Sequence, residues 1–150
     1  MLNPDFRDIL SLFNDERVDY LVVGAYALAF HGLPRATGDI DLWVRCSNEN
    51  ASRIWGALTR FGAPLSGIKV NDFTTAGIVV QVGVSPRRID ILTTIDGVDF
   101  DDAGRERELA EIDGLTIPIL SKQHLLQNKR SAGRPKDQAD LAWLESSKDS

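Results

Sequence analysis

The sequence has little cysteine, little histidine and no long apolar run. Its 150 residues include one cysteine, Cys46, and two histidines. A single cysteine excludes a disulfide framework and a sulfur-ligated metal cluster, so any metal site must use oxygen ligands. The longest apolar stretch, Leu21 to Phe30, contains Gly24 and is shorter than the ~20 residues that span a bilayer. We therefore expect no transmembrane helix and no membrane partner.

Positive charge is also in deficit. The chain has 17 Lys and Arg against 22 Asp and Glu, a net charge of −5, which argues against a general nucleic-acid coat. The stretch 122–136 is an exception, with five basic residues and no acid. It is either a local basic patch or a solvated helix face. The acidic N-terminus does not resemble a signal peptide, so we expect a cytoplasmic protein.

The hydrophobic pattern predicts one α+β domain over residues 1–150, with a core over about 18–118 and C-terminal helices over about 121–146. We expect two layers: a mixed, twisted sheet of about four to six strands with helices packed on it, and a C-terminal helical pair. Predicted strands are 18–24, 39–44, 77–84, 87–94 and the extended piece 115–120. Predicted helices are 3–16, 25–32, 48–61, 100–108, 121–130 and 137–145. The stretch 64–75 is predicted to be a loop with a short extended piece.

The stretch TGDIDLWVR, residues 37–45, places two acids on one face of a predicted strand. Asp39, Asp41 and Trp43 alternate with Ile40, Leu42 and Val44. The Cα atoms of Asp39 and Asp41 should lie roughly 6 to 7 Å apart, where their like charges repel unless a cation lies between them. A third acid, Asp90 in RRIDIL, has the same relation to buried isoleucines. Three carboxylates on one sheet form a site for Mg²⁺ or Mn²⁺, as one ion or a pair, and favour phosphoryl or nucleotidyl transfer.

A second pattern, VVGAYALAFHG, passes from a strand through Gly24 directly into a helix. The backbone N–H groups at such a helix start favour an anion, and a glycine lets a phosphate approach closely. The same turn occurs in many α/β folds without a phosphate site. Arg35 and Thr37 follow this helix, and they either contact phosphate or acceptor or belong to a capped turn after Pro34.

Together these residues resemble the nucleotidyltransferase superfamily related to polymerase beta. Gly24 and Ala25, thirteen further residues and then Asp39-x-Asp41 match the spacing of that signature, with Ala25 where Gly or Ser is usual. LPRATGDIDLWV, RRIDILTTIDGVDF and LSKQHLLQNKRSAGRPKDQADLAWLE also look like small bacterial proteins of the AbiEii-type toxin and minimal nucleotidyltransferase group. The resemblance implies that Asp39 and Asp41 hold two metal ions. It also implies that Asp90 completes the site and helps to deprotonate the attacking hydroxyl, and that Gly24 and Ala25 bind the triphosphate.

The closing motif places Lys129, Arg134 and Lys136 next to Asp137 and Asp140. Lys129 either neutralises charge on the transferred phosphate or leaving pyrophosphate, or pairs with one of these acids to fix the two helices. Trp43 either stacks on a base or packs under a loop, and His31 is interpreted as structural.

The sequence thus predicts a metal-dependent enzyme that transfers a nucleoside monophosphate from an NTP to an RNA 3′ end or a protein hydroxyl, with a cognate toxin or antitoxin as a partner. The alternative is a non-catalytic binding module or antitoxin that keeps the fold and binds a partner protein or nucleotide.

Overall fold

The computed structural model describes residues 2–33, 38–83 and 87–146. Its helices are α1 (Pro4–Asp15), α2 (Gly24–Phe30), α3 (Asn48–Phe61), α4 (Phe100–Arg105), α5 (Lys122–Ala132) and α6 (Pro135–Ser146). A 3₁₀ helix covers Val70–Thr74. The strands are β1 (Tyr20–Val23), β2 (Ile40–Val44), β3 (Val79–Val82), β4 (Ile89–Leu92), β5 (Glu108–Ile112) and β6 (Leu115–Ile119).

These strands form one mixed sheet in the order β3-β4-β2-β1-β6-β5. β2 runs parallel to β4 and β1 parallel to β6, and the other neighbouring pairs are antiparallel. The predicted α+β class and mixed sheet are confirmed. All four residues of β1 are buried, as expected for a central strand between two covered neighbours.

Helix α1 begins where the sequence places its signals, with Asn3 as N-cap and Pro4 as the first helical residue. Its apolar stripe, spaced three and four residues apart, is fully buried, and α1 packs against α3. α3 begins at the Ser47 cap and ends at Gly62 in the left-handed conformation. Its bounds are those predicted.

Two elements differ in kind from the sequence prediction, and the predicted helix 100–108 ends earlier, at Arg105. The stretch 64–75 contains a 3₁₀ helix rather than an extended piece, and Phe73 anchors it in the core with no exposed surface. β5 has no counterpart in the prediction, because Glu, Leu and Ala favour helices. It forms a hairpin with β6 through Asp113 and Gly114, both at positive φ, as a tight hairpin turn requires. The predicted connection between β3 and β4 lies in 84–86, outside the described residues.

Asn50 joins the ends of β1 and β2 to the start of α3. Its side chain is 1% exposed. It accepts a hydrogen bond from the Asp19 N–H at 2.7 Å and donates to the carbonyl oxygens of Asp19 and Arg45 at 3.0 and 2.9 Å.

Asn50→Ala should lower the free energy of unfolding by about 2–3 kcal/mol, because it leaves buried backbone groups without partners. Urea unfolding measures this loss, with Asn48→Ala as the control. Asn48 is exposed in the same helical turn, and its substitution should change the free energy of unfolding by less than about 0.5 kcal/mol. Equal losses in the two variants would contradict the prediction.

None of the described helices is long and apolar enough to cross a membrane.

Candidate active site

The acids of the two sequence motifs meet on β2 and β4, two neighbouring inner strands of the sheet. Asp41 in β2 lies opposite Asp90 in β4, in the register of two parallel strands. Asp41 also lies opposite Val23 in β1, so the chain enters α2 at Gly24 beside it. Asp39 directly precedes β2. The structure thus brings Gly24, Asp39, Asp41 and Asp90 together.

Gly24 makes room for Asp41. It has φ +67°, and a Cβ placed on it would lie 2.1 Å from Asp41 Oδ2. The sequence pattern attributes the small size of Gly24 to the approach of a phosphate. In the structure, the space left by the missing Cβ is already occupied by the Asp41 carboxylate. A glycine is required here both for its backbone conformation and for this contact.

Gly24→Ala should lower the free energy of unfolding by about 2–3 kcal/mol, because it adds backbone strain and displaces the Asp41 carboxylate. Gly67→Ala is a matched control, since Gly67 has φ +83° and a Cβ added to it would meet nothing within 4 Å. The control should show only the strain, about 1 kcal/mol. Denaturant unfolding of both variants measures the difference. Equal losses would show that Asp41 does not need the space.

Arg88 binds two of the three acids. Its Nε donates to Asp90 Oδ1 at 2.7 Å and its Nη2 to Asp90 Oδ2 at 3.2 Å, and Nη2 lies 3.3 Å from Asp39 Oδ2. The backbone N–H of Arg88 also donates to Asp39 Oδ1 at 3.0 Å. Arg88, which the sequence analysis did not single out, is thus a direct partner of Asp39 and Asp90.

Asp41 is the acid whose charge is least compensated. Burial, followed by the charges of Asp90 and Asp39 and a hydrogen bond to Asp90, raises the pKa of Asp41 to about 6, and Arg88 offsets only part of this. Burial and the two neighbouring acids together thus outweigh the effect of the positive charge of Arg88 on the pKa of Asp41. A divalent cation beside it would supply further positive charge.

A cleft of about 710 Å³ opens next to these acids, within the size range of pockets that hold small ligands. Gly24 and Ala25 line it together with Asp39, Asp41, Arg88 and Asp90. Further lining comes from the segment after β4 and from the C-terminal helices. It includes the polar and charged residues Asp96, Asn128, Lys129, Arg134 and Lys136.

Solved structures resemble this arrangement along nearly the whole chain. A candidate nucleotidyltransferase from Thermotoga maritima matches with a TM-score of 0.63 and 20% identity, over 98% of this chain and 97% of that one. The lincosamide antibiotic adenylyltransferase LnuA, in its lincomycin-bound structure, matches with a TM-score of 0.58 and 15% identity, over 97% and 98%. ANT(2″)-Ia, in complex with adenylyl-2″-tobramycin, matches with 0.58 and 13%, over 94% and 86%.

The protein has the nucleotidyltransferase fold. No protein-family model and no curated protein matches the sequence. The three solved structures confirm the fold expected from the motifs. None of the three structures above is described as an AbiEii-type protein, and that narrower resemblance stays a prediction.

Within this nucleotidyltransferase fold, the donor chemistry of the site fits a hard divalent cation. Asp39, Asp41 and Asp90 offer only carboxylate oxygens, the ligands that Mg²⁺ and Mn²⁺ prefer. Over 2–33, 38–83 and 87–146, however, no three His, Cys, Asp or Glu side chains are already arranged around a metal position. Arg88 hydrogen-bonds both oxygens of Asp90, so the acids must rearrange before all three can bind a metal.

Lys129 lies in a buried ion cluster between α5 and α6. Its Nζ is 3.1 Å from Asp137 Oδ1 and 3.3 Å from Asp140 Oδ2, and its side chain is 6% exposed. Arg134 adds hydrogen bonds from Nε and Nη2 to Asp137 at 2.6 and 3.2 Å. These contacts favour the helix-fixing alternative for Lys129, and its catalytic role stays a prediction.

The cluster also changes the interpretation of the basic stretch 122–136. Lys122 and Lys129 are buried, whereas Arg130, Arg134 and Lys136 are exposed. The stretch is thus only partly a charged surface. Arg134 and Lys136 are the exposed cations that it contributes to the cleft.

The remaining candidates lie away from the cleft or outside the described residues. Trp43 is 2% exposed and packs edge-to-face on Phe100 at 4.9 Å, which favours packing over base stacking. His31 Nε2 lies 2.9 Å from the Leu120 carbonyl oxygen, a structural contact. Arg35 and Thr37 lie outside the described residues, so their predicted nucleotide contacts stay predictions.

Proposed function

We propose that this protein is a metal-dependent nucleotidyltransferase that moves a nucleoside monophosphate from an NTP to an acceptor hydroxyl and releases pyrophosphate. The observation that carries the proposal is the register of Asp41 opposite Asp90, beside Gly24, at a cleft large enough for a nucleotide. The fold shared with LnuA and ANT(2″)-Ia supports it.

In this proposal Asp39, Asp41 and Asp90 hold Mg²⁺ or Mn²⁺, as two ions. Bound metal would neutralise the phosphates and orient the attacking and leaving oxygens. Gly24 and Ala25 bind the triphosphate, together with Arg35 and Thr37 as the sequence predicts.

The chain's own residues then guide the displacement. The acceptor oxygen forms a bond to the α-phosphorus while the bond from that phosphorus to the bridging oxygen of pyrophosphate breaks. Asp90 receives the hydroxyl proton as general base. Lys136 lines the cleft and supplies positive charge for the leaving pyrophosphate, whereas Arg134, which also lines it, is bound to Asp137.

The acceptor has three candidate classes. RNA 3′ ends and protein hydroxyls, including those of a cognate toxin or antitoxin, follow from the sequence resemblance. Hydroxyl-bearing antibiotics follow from the structures of LnuA with lincomycin and ANT(2″)-Ia with adenylyl-tobramycin. All three offer the same reacting group, so only a direct assay distinguishes them.

The test is to incubate the purified protein with each α-³²P-labelled NTP, Mg²⁺ or Mn²⁺, and one acceptor class at a time. Total RNA, cell-extract protein, lincomycin and tobramycin serve as acceptors. Label transferred by wild type and lost in Asp39→Asn supports the enzyme and names the acceptor class. No transfer to any acceptor, combined with tight binding of a partner protein, would contradict the proposal and support the non-catalytic binding module. The pairing of Arg88 with Asp39 and Asp90 is the observation that favours this alternative.

A further inference from the structure

Arg88 occupies the carboxylate oxygens that a metal ion would use. We propose that Arg88 is an exchangeable counter-cation: it pairs with Asp39 and Asp90 in the metal-free protein, and it transfers to the phosphates of the nucleotide when a divalent metal takes those carboxylates. This inference rests on the proposed function. It adds a residue that links metal binding to nucleotide binding.

The contacts show why metal and Arg88 exclude one another. Arg88 holds both oxygens of Asp90, at 2.7 and 3.2 Å, and lies 3.3 Å from an oxygen of Asp39. A bidentate guanidinium occupies one in-plane lone pair on each carboxylate oxygen, and these are the two that a metal bound by both oxygens would also use. Two cations at one carboxylate also repel each other, and burial strengthens that repulsion. Coordination of a metal by both oxygens of Asp90 therefore requires the Arg88 side chain to leave.

The backbone allows the side chain alone to move. The Arg88 N–H donates to Asp39 Oδ1 at 3.0 Å, and its carbonyl oxygen accepts the Ile40 N–H at 3.0 Å. These bonds fix the main chain at the start of β4. The Arg88 side chain is 29% exposed and lines the cleft, so a change of rotamer carries it into the cleft without unpairing the sheet.

The cleft also supplies the second partner. Gly24 and Ala25 line the same cleft as Arg88, and a guanidinium matches phosphate oxygens as well as it matches a carboxylate. A metal–nucleotide complex would thus replace every interaction that Arg88 gives up, whereas metal alone would not. Metal and nucleotide should then strengthen each other's binding, and the coupling must be reciprocal.

The experiment measures Mn²⁺ binding by electron paramagnetic resonance of the free ion, with and without a non-hydrolysable NTP analogue. Arg88→Gln should bind Mn²⁺ alone about tenfold more tightly than wild type, because one charge-assisted competitor is lost. It should bind the analogue about tenfold more weakly in the presence of Mn²⁺. Arg87→Gln is the matched control, since Arg87 is exposed and carries the same charge one residue away. It should leave both affinities within about twofold of wild type.

Arg88→Lys keeps the charge but cannot hold both oxygens of Asp90, so intermediate affinities are expected; it also provides a folded variant if Arg88→Gln unfolds. Equal effects of Arg87→Gln and Arg88→Gln would overturn the exchange, because they would reflect net charge alone. Unchanged Mn²⁺ affinity in Arg88→Gln, with binding abolished in Asp90→Asn, would overturn it while leaving the proposed function intact. No Mn²⁺ binding to any variant, with or without the analogue, would overturn both.

Discussion

Asp41→Asn is expected to abolish nucleotidyl transfer and, at the same time, to stabilise the metal-free protein. The loss of activity should reach about a thousandfold, because the neutral amide no longer supplies the charge that holds a cation against the phosphates. The stabilisation follows from the raised pKa of Asp41, about 6, which burial and the neighbouring acids cause. Asp41 would then lower the stability of the folded protein while supplying the charge that nucleotidyl transfer requires.

The pH dependence has a definite sign. Because the folded protein binds the Asp41 proton more tightly than the unfolded chain, its stability falls as pH rises from about 4 through 6. Asparagine has no proton to lose. The variant should therefore match wild type near pH 4 and exceed it by about 1–2 kcal/mol above pH 6, a value reduced for partial solvent screening.

Thermal unfolding in EDTA at several pH values, combined with the labelled transfer assay, checks both effects. Asp8→Asn is the control, because Asp8 is exposed on α1 and should change neither quantity. Full transfer activity in Asp41→Asn would exclude a cation-holding role. If the melting temperature of Asp41→Asn at pH 8 is no higher than that of wild type, the charge of Asp41 does not destabilise the folded protein.

The residues that the sequence placed at one site are those whose positions follow from local rules. Alternation along a strand puts Asp39 and Asp41 on one face, and a strand that ends in Gly24 must turn into α2 beside them. Asp90 could be added because it repeats the same pattern in a second strand. The register of Asp41 opposite Asp90 needed the sheet order, which those patterns do not contain.

Three features of the structure go beyond what the sequence predicted, each for a different reason. The burial of Lys129 requires α6 to bring Asp137 and Asp140 to it, and a basic stretch looks the same whether its lysines are buried or solvated. β5 was missed because its composition favours a helix, although the Asp113-Gly114 pair was an available hairpin signal. Arg88 had a local signal, since it lies two residues before Asp90 on the same face of a strand.

Asp137→Asn should destabilise the protein more than any surface charge change, by about 3–5 kcal/mol. The Asp137 side chain has no exposed surface, and it accepts hydrogen bonds from Lys129 and Arg134. Neutralising it leaves the buried Lys129 ammonium with less compensating charge in a medium that screens poorly. The expected fall in melting temperature is on the order of 10 °C, and the packing of α5 on α6 should be lost first.

Glu145→Gln is the matched control for Asp137→Asn, because it removes an ion pair between the same two helices at the surface. Arg130 and Glu145 are 2.9 Å apart but 55% and 49% exposed, so this change should cost less than about 1 kcal/mol.

Arg134 and Lys129 lower the pKa of Asp137 to about 2, so its contribution to stability is complete above about pH 4 and is lost as pH falls through 2. Urea unfolding should therefore show that the difference in the free energy of unfolding between wild type and Asp137→Asn becomes smaller from pH 5 to pH 3. A constant gap over this range, or one no larger than that of Glu145→Gln, would show that the charge of Asp137 does not hold the two helices together.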